Sequence, residues 1–359
     1  MKWVIAMINL RSDTVTQPTQ SMRHHMTNSS VGDDAYGEDK SINNLQHYCR
    51  ELFNKEDALF VTSGMLSNRL AILSQTSPGD EIVLDYNYHI NFFDSAAAAS
   101  VCHVLLNNRF TKDGILTIDE INEALNSKPR YEYFSQIRLV SIENTINGWV
   151  GKIFPFNEMK RLRHYTQLNN MSLHLDGARL FNAHIETGIS LSDYAAQADT
   201  VSVCFSKGLG APFGSVLMGS HETIRKAKKF RMWMGGAFHQ AGFQAAAALF
   251  AIKNNIDLLK NDHENAYLLK ERLENISELS IHKNSGETNM IQFSLDNIGM
   301  SSTQFISNCE KEGLQLFHWL PGVVRAVTHS GISHSDILQS VEIIKKVIFH
   351  HSNKNRKEL

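Results

Sequence analysis

Lys207 and Asp176 each stand at the end of an apolar segment, where a side chain can do chemistry. Lys207 follows TVSVCF, inside a glycine-rich run, and Asp176 ends SLHLD, 31 positions upstream. A desolvated lysine amine can form a Schiff base with a carbonyl. An aspartate can pair with a pyridinium nitrogen, and the two together are how proteins hold pyridoxal phosphate. The alternative is a solvated lysine and an aspartate that caps a helix beginning near Ala178.

A turn and a histidine follow two other predicted strands in the same way. The turn Ser63-Gly64-Met65 comes after ALFVT, and backbone N–H groups at the start of a helix can hold a phosphate, although most such turns bind nothing. His89 comes just after EIVLD. Its ring could lie flat on a planar cofactor, or its nitrogen could exchange a proton with a substrate hydroxyl near neutral pH. The alternative is an ordinary surface or core histidine.

Arg325 lies inside the apolar segment VVRAVT, where a buried cation needs an anionic partner. That partner is either a substrate carboxylate gripped by two hydrogen bonds or a structural Asp or Glu. Two other segments, 11–16 and 32–39, are dense in polar groups and predict loops rather than core.

Short β-rich segments alternate with helix-period segments from residue 56 onward. Such strand–helix units imply parallel strands with crossover helices, and therefore an α/β layered domain. Ligands bind outside the carboxyl ends of the strands in such sheets, which is where the residues above lie. The predicted strands are 58–62, 81–85, 103–106, 137–143, 172–176, 200–205 and 214–219, and the predicted helices are 64–75, 92–99, 118–126 and 157–168.

The pattern changes after about residue 220 and predicts a smaller α+β domain. Helices are expected at 221–230, 240–254, 256–276 and 338–349, and strands at 289–293, 314–319 and 323–328. The predicted organisation is an N-terminal arm (1–20), a large α/β domain (21–245), a small α+β domain (246–350) and a frayed tail (351–359).

Composition excludes several classes of protein. The 359 residues are 42% hydrophobic and 20% charged with a net charge of −2, which is typical of a soluble globular protein. That charge argues against a nucleic-acid binder that relies on bulk positive charge. No segment approaches the ~20 apolar residues of a membrane helix. The four separated cysteines and the absence of a signal-peptide pattern predict reduced thiols in a cytoplasmic protein. No spacing of metal ligands stands out, so no metal is expected.

Several motifs, in order from about residue 9 to about residue 330, resemble the L-threonine aldolases. These motifs are Leu10–Thr16, Val31–Asp39, Glu143–Thr145, His174–Leu180, Ser206–Pro212 and Gln240–Gly242. That family belongs to the pyridoxal-phosphate enzymes with the aspartate-aminotransferase type of fold, fold type I. The resemblance therefore implies a fold type I large domain with a mostly parallel sheet and a smaller C-terminal α+β domain.

The resemblance also implies roles for individual residues. Lys207 matches the lysine that carries the cofactor, Asp176 the partner of the pyridine nitrogen, and His89 the histidine stacked on the ring. The phosphate-binding turn corresponds to Ser63, Gly64 and Met65, and Ser206 belongs to the cofactor-binding positions together with Arg179. The residues that match the family's binding groups for the substrate carboxylate are Ser12, Arg179 and Arg325. Tyr36 matches an active-site tyrosine of the same or the neighbouring subunit. The family is usually a homodimer or homotetramer with shared active sites.

Four positions depart from the family pattern. Met65 stands where the family has a threonine hydroxyl, and Ile146 stands where many bacterial members have a histidine that meets the β-hydroxyl. Met232 and His239 replace a lysine and an arginine that are frequent in the family. These changes leave the cofactor assignment in place and affect the choice of β-hydroxy amino acid.

The implied reaction cleaves L-threonine, L-allo-threonine or a related β-hydroxy amino acid to glycine and an aldehyde. His89 is the first candidate for the base that takes the β-hydroxyl proton, and a water held by the phosphate or by His239 is the second. Alternatives within the fold are a condensing enzyme acting on another β-hydroxy amino acid and a β-eliminating lyase. A catalytically silent pyridoxal-phosphate binder is another. A nucleotide-binding protein is disfavoured, because the glycines after Lys207 miss the dinucleotide fingerprint and Pro212 interrupts the helix that should follow.

Overall fold

The chain divides into two compact units in this computed structural model, which describes residues 7–357, with side chains through residue 351. One unit is the continuous segment Pro18–Ile256. The other combines the chain up to Gln17 with the chain from Asp257 onward. Of the candidate site residues, Ser12 and Arg325 lie in the second unit and the others lie in the continuous unit.

The strands of the described residues range from two to seven residues in length. They are β1 (Ile8–Asn9), β2 (Asp57–Val61), β3 (Glu81–Asp85), β4 (Leu105–Arg109), β5 (Ile137–Glu143), β6 (Ser172–Gly177), β7 (Thr200–Cys204), β8 (Ser215–Gly219), β9 (Ser280–Ile281), β10 (Met290–Ser294), β11 (Leu314–Gln315), β12 (Phe317–Leu320) and β13 (Val323–Val327).

The helices of the described residues surround these strands. They are α1 (Gln20–Thr27), α2 (Lys40–Phe53), α3 (Gly64–Gln75), α4 (His89–Ser100), α5 (Ile118–Asn126), α6 (Phe156–Leu168), α7 (Leu180–Thr187), α8 (Leu191–Ala196), α9 (His221–Trp233), α10 (Gly242–Asn254), α11 (Leu259–Glu274), α12 (Ser302–Lys311) and α13 (His334–Lys357).

The continuous unit is built on a seven-stranded sheet in the order β2-β8-β7-β6-β5-β3-β4. Each neighbouring pair is parallel except the two pairs made by β8, which runs against both β2 and β7. The predicted α/β fold with a mostly parallel sheet is therefore confirmed. The central strands are buried along almost their whole length, because helices cover both faces of the sheet.

The second unit is α+β. Its four-stranded sheet runs in the order β12-β13-β10-β9 with antiparallel neighbours, and β1 pairs separately with β11 in parallel. The apolar core of this unit includes Ile8 and Leu10 from the N-terminal segment, packed with side chains of α11, α12 and α13. This burial is the reason why the N-terminal segment belongs to the second unit.

The predicted domain boundaries differ from these units. The predicted arm 1–20 is not a separate segment. Ile8 pairs with Leu314, and the described residues of the arm up to Gln17 belong to the same unit as the C-terminal part of the chain. The boundary at 245/246 falls inside α10, and the chain passes to the other unit only after Ile256. Helix α13 runs on to Lys357 and so occupies most of the predicted frayed tail, 351–359. Residues 1–6 of the predicted arm, and 358 and 359 of the tail, lie outside the described residues.

In the part of the chain that the structure describes, no helix is long and apolar enough to cross a membrane. The four cysteines all lie in that part, and each is a buried thiol outside any disulfide.

Candidate active site

Several of the candidate residues lie at the edge of the large sheet where β3, β5, β6 and β7 end. The pairing register places Glu143, the last residue of β5, beside Asp176 of β6, and Asp176 beside Ser202 of β7. Both carboxylates are buried. Because parallel strands end at the same edge, the loops after them form one wall of a common site.

Asp176 is held by hydrogen bonds to both of its carboxylate oxygens. The Asn68 side-chain amide donates to Oδ2 at 2.7 Å, and the backbone N–H of Ala178 donates to Oδ1 at 3.1 Å. The next helix begins at Leu180 with Arg179 as its N-cap, so Asp176 is not a helix cap. A buried carboxylate fixed in this way suits the partner of a cationic ring nitrogen, because its charge needs a counter-charge.

Lys207 lies in the turn between β7 and β8 with its side chain half-buried. The carbonyl of Lys207 accepts a hydrogen bond from Gly210 N at 2.9 Å, and Phe205 N bonds the carbonyl of Gly214 at 3.1 Å. Gly214 has a φ of +99°, and a Cβ there would lie 2.4 Å from the ring of Phe60. Only glycine closes the turn at this position without strain. Ser206, beside Lys207, contacts the thiol of Cys204 at 3.4 Å.

His89 is the first residue of α4 and is positioned by a side chain from another strand. Its backbone N–H donates to Glu143 Oε2 at 2.6 Å, and the other oxygen of Glu143 accepts from Asn147 N at 2.8 Å. Tyr88, the N-cap of α4, makes no capping bond with its own side chain, so Glu143 supplies the acceptor. The His89 ring packs on Phe93 with their centroids 5.0 Å apart.

The charged groups of the site shift the pKa values of His89 and Glu143. Burial lowers the pKa of His89. The negative charge of Asp176 opposes this effect on the pKa, and the positive charges of Lys207 and Arg179 add to it. Burial, followed by the negative charge of Asp176, raises the pKa of Glu143 well above its ordinary value. His89 is therefore neutral near neutral pH, and its ring can accept a proton.

The turn at Ser63 has the features of an anion site. Ser63 caps α3, its Oγ accepting from Leu66 N at 3.2 Å. Among the described residues, no acceptor faces the backbone N–H groups of Gly64 and Met65. The hydroxyl of Ser215 is buried with no partner in the described structure, and it lies 3.7 Å from where a Cβ on Gly64 would be. Two open N–H groups, a free hydroxyl and the positive end of a helix dipole fit a phosphate.

Arg179 is a buried cation at this edge, and it lies at the start of α7. Its Nη1 is 3.5 Å from Oδ1 of Asn147, in the loop after β5 that Glu143 also holds. A guanidinium placed beside the ends of β5 and β6 suits a carboxylate, with which it can form two parallel hydrogen bonds.

The contacts described above do not include three of the predicted residues. Tyr36 lies in the continuous unit, but its side chain is 81% exposed. Ser12 and Arg325 belong to the other unit. Ser12 caps a short 3₁₀ helix, its Oγ accepting from Thr14 N. Arg325 is buried on β13, with its guanidinium over two aromatic rings, Phe317 at 4.7 Å and Trp319 at 4.6 Å.

The four departures from the family pattern occupy different environments. Met65 is partly exposed at the second position of α3, and Met232 is exposed near the end of α9. His239 is exposed and its Nδ1 lies 2.9 Å from the carboxylate of Asp33. Ile146 is fully buried and pairs through its backbone with Lys152. The hydrophobic side chain of Ile146 thus lies in the loop that follows Glu143.

Sequence reasoning missed three residues that shape this site. Glu143 was noticed only as part of a motif, although a carboxylate at the end of a buried strand is a signal. Asn68 and His174 were given no role. Asn68 lies on the face of α3 that meets Asp176, and His174 is a fully buried polar residue in the middle of β6. A polar residue inside an otherwise apolar strand was the signal available for His174.

Known proteins resemble this chain in sequence. The sequence model described as beta-eliminating lyase matches residues 9–296. The chain is 35% identical over 334 residues to the low specificity L-threonine aldolase of Escherichia coli (strain K12), covering 93% of this chain and 97% of the relative. It is 34% identical to low-specificity L-threonine aldolase 1 of Arabidopsis thaliana, covering 93% of this chain and 94% of the relative.

Solved structures share the fold. A threonine aldolase of Leishmania major superposes with a TM-score of 0.80 at 20% identity, covering 95% of this chain and 99% of that one. A serine palmitoyltransferase of Sphingomonas wittichii superposes with a TM-score of 0.75 at 16% identity, covering 96% of this chain and 88% of that one. Since proteins with different names share this architecture, the reaction must be argued from the site.

Proposed function

Because the chain belongs to the beta-eliminating lyase family, we propose that it is a pyridoxal-phosphate-dependent aldolase that cleaves L-threonine, L-allo-threonine or a related β-hydroxy amino acid to glycine and an aldehyde. Relatives at 34% and 35% identity over most of the chain are named for this activity. The observation that carries the proposal is the convergence of Asp176, Lys207, Arg179 and neutral His89 at one edge of the sheet.

The residues of the site fit pyridoxal phosphate. Lys207 would hold the cofactor through its Nζ, and the α3 turn with Ser215 would hold its phosphate. When bound, the cofactor supplies a conjugated ring that takes up the electron pair left on Cα as the Cα–Cβ bond breaks. The carboxylate of Asp176 would keep a proton on the ring nitrogen, since a buried anion stabilises a cation facing it. Ser206 would complete the turn that presents Lys207.

His89 is the proposed general base. Its ring is neutral near neutral pH because burial lowers its pKa, so it can take the proton of the β-hydroxyl. Glu143 fixes the first residue of α4, and Phe93 packs against the His89 ring, so two contacts limit where the imidazole can lie. The ring of His89 would also cover one face of the cofactor and exclude water from it.

Arg179 is the proposed partner of the substrate carboxylate. A buried guanidinium that forms two hydrogen bonds with a carboxylate fixes the rotation of the amino acid about its N–Cα bond. This orientation sets which bond at Cα breaks. Ser12, Tyr36 and Arg325 remain predicted to take part, with Tyr36 contributed by the same or the neighbouring subunit. Sharing of sites between the subunits of a cytoplasmic homodimer or homotetramer belongs to the same proposal.

A substrate panel on the purified holoprotein tests the function. We expect aldehyde and glycine to be released from L-threonine or L-allo-threonine, and the Lys207→Ala variant to release neither. Release of pyruvate from an amino acid with a leaving group would indicate a β-eliminating lyase instead. Release only from other β-hydroxy amino acids would restrict the proposed substrates to those amino acids. A cofactor-loaded protein inert on every amino acid would contradict an aldolase.

A further inference from the structure

Behind Asp176 lies a chain of buried polar side chains that the proposed reaction does not use. His174 Nε2 lies 3.1 Å from Asn68 Oδ1, and His174 Nδ1 lies 2.9 Å from Thr200 Oγ1. The Thr200 hydroxyl lies 2.8 Å from Gln75 Nε2. Asn68, His174, Thr200 and Asp176 are all almost completely buried. Polar groups inside a core are costly unless each of them is hydrogen-bonded.

The direction of every hydrogen bond in this chain follows from its two ends. Asp176 Oδ2 accepts from the Asn68 NH₂ group, so Asn68 Oδ1 points away from it. That oxygen only accepts, so His174 Nε2 carries the proton. A neutral His174 then accepts at Nδ1 from the Thr200 hydroxyl, whose oxygen accepts from Gln75. Burial lowers the pKa of His174 to about 4, which agrees with a neutral ring.

The elements that carry this chain are rigid. Thr200 and His174 are direct neighbours in the register of β6 and β7. Asn68 and Gln75 are seven residues apart on α3, which places them on one face of that helix. Helix α3 also begins with the turn at Ser63 and Gly64. One helix therefore links the predicted phosphate site to the carboxylate that faces the ring nitrogen.

We propose that Asn68, His174 and Thr200 form a positioning relay that fixes the Asp176 carboxylate toward the bound cofactor ring. All donors point toward Asp176, so each hydrogen bond polarises the next one. None of the relay residues would touch the substrate. The relay therefore acts on the hold of Asp176 on the cofactor and on the reaction step that needs a protonated ring. The proposal rests on the proposed function only through the identity of the cofactor.

The first test uses an Asn68→Leu variant of the full chain. We expect the dissociation constant of pyridoxal phosphate from the apoprotein to rise about tenfold or more, because a hydrogen bond to a charged group is lost. The kcat for L-threonine should fall by a similar factor while KM stays within about twofold, since the relay does not touch substrate. A variant with wild-type cofactor affinity and wild-type kcat would overturn the relay.

Two variants at Thr200 test the relay even if Asn68→Leu does not fold. Thr200→Val removes only the hydroxyl at constant volume, and Thr200→Ser keeps the hydroxyl and removes a methyl group. We expect Thr200→Val to weaken cofactor binding about threefold or more, and Thr200→Ser to remain near wild type. Equal cofactor affinities for the two variants would overturn the relay, because only the hydroxyl distinguishes them in this role.

Cofactor affinity separates this proposal from the proposed function. If the wild-type holoprotein releases no aldehyde from any β-hydroxy amino acid of the panel while Thr200→Val and Thr200→Ser still differ in cofactor affinity, the aldolase assignment fails and the relay stands. If aldehyde is released and the two variants bind the cofactor equally, the relay fails and the aldolase assignment stands. Thermal unfolding of each apoprotein shows whether a loss of affinity reflects a loss of folding.

Discussion

Replacing His174 with glutamine should reduce the loss in the free energy of unfolding that occurs as the pH falls below neutral. In the folded chain burial lowers the pKa of His174 to about 4, whereas the ordinary value is 6.5. Between these two pH values the unfolded chain binds the extra proton, so the free energy of unfolding rises with pH there. Above about pH 6.5 the neutral ring makes its full contribution to the free energy of unfolding, and this contribution is lost as the pH falls toward 4.

The size of the effect follows from the same two values. One unit of pKa difference corresponds to about 1.4 kcal/mol, so the complete loss is about 3 kcal/mol. Between about pH 7.5 and about pH 5 the titration of this one ring removes about 2 kcal/mol. Glutamine presents an N–H donor near the place of Nε2 and does not titrate. The wild-type apoprotein should therefore lose about 2 kcal/mol more than His174→Gln over this interval.

Urea unfolding of both apoproteins, followed by circular dichroism at the two pH values, measures this difference. The variant can be less stable than the wild type at both pH values, because only the change with pH is compared. Parallel losses in the two proteins, within about 0.5 kcal/mol, would refute a buried neutral imidazole at this position.

Three further substitutions test the site and its support. His89→Asn should lower kcat by roughly 10²-fold or more while the holoprotein keeps its colour, and full turnover would eliminate the histidine base. Arg69→Ala should lower the free energy of unfolding by about 2–3 kcal/mol in urea, because Arg69 Nε donates to the buried carboxylate of Asp94 at 2.9 Å. An unchanged midpoint would show that Asp94 finds another partner. Gly214→Ala should cost about 2 kcal/mol or more, because a Cβ would lie 2.4 Å from Phe60 at a φ of +99°. Thermal unfolding at the wild-type midpoint would contradict that contact.

The large sheet could be predicted from the sequence because its strands are short apolar segments with clear ends. The predicted bounds 64–75, 81–85, 118–126 and 137–143 coincide with α3, β3, α5 and β5. Helix α2, by contrast, was missed, although Ile42, Leu45, Cys49 and Phe53 recur at helical spacing and are buried. That signal was present in the sequence, but no element was predicted between residue 39 and residue 56.

Long-range pairing accounts for other differences. The segment 314–319 was predicted as one strand, but Leu314 pairs with Ile8 in one sheet and Phe317 pairs with Arg325 in another. Two sheets share one short stretch of chain. The local hydrophobic pattern cannot show which distant strands a segment pairs with. The same limit explains why β4 begins at Leu105 rather than at 103, since its register is set by pairing with β3.

The candidate site divides in the same way. Lys207, Asp176 and His89 were predicted because each follows a strand and has a side chain that can do chemistry. Asn68 could not be assigned, because its hydrogen-bond partner is 108 positions away in the chain. Residue type and local position therefore predicted the groups that we propose to meet the cofactor, whereas the residues that orient them became visible only in the folded chain.

The most direct test of the account is chemical labelling of Lys207. Borohydride reduction of the holoprotein, followed by tryptic mapping, should find the cofactor joined irreversibly to the peptide that contains Lys207, with no label in the Lys207→Ala variant. Label on another lysine, or no label on a protein that has bound pyridoxal phosphate, would contradict the assignment of Lys207 and the active site built around it.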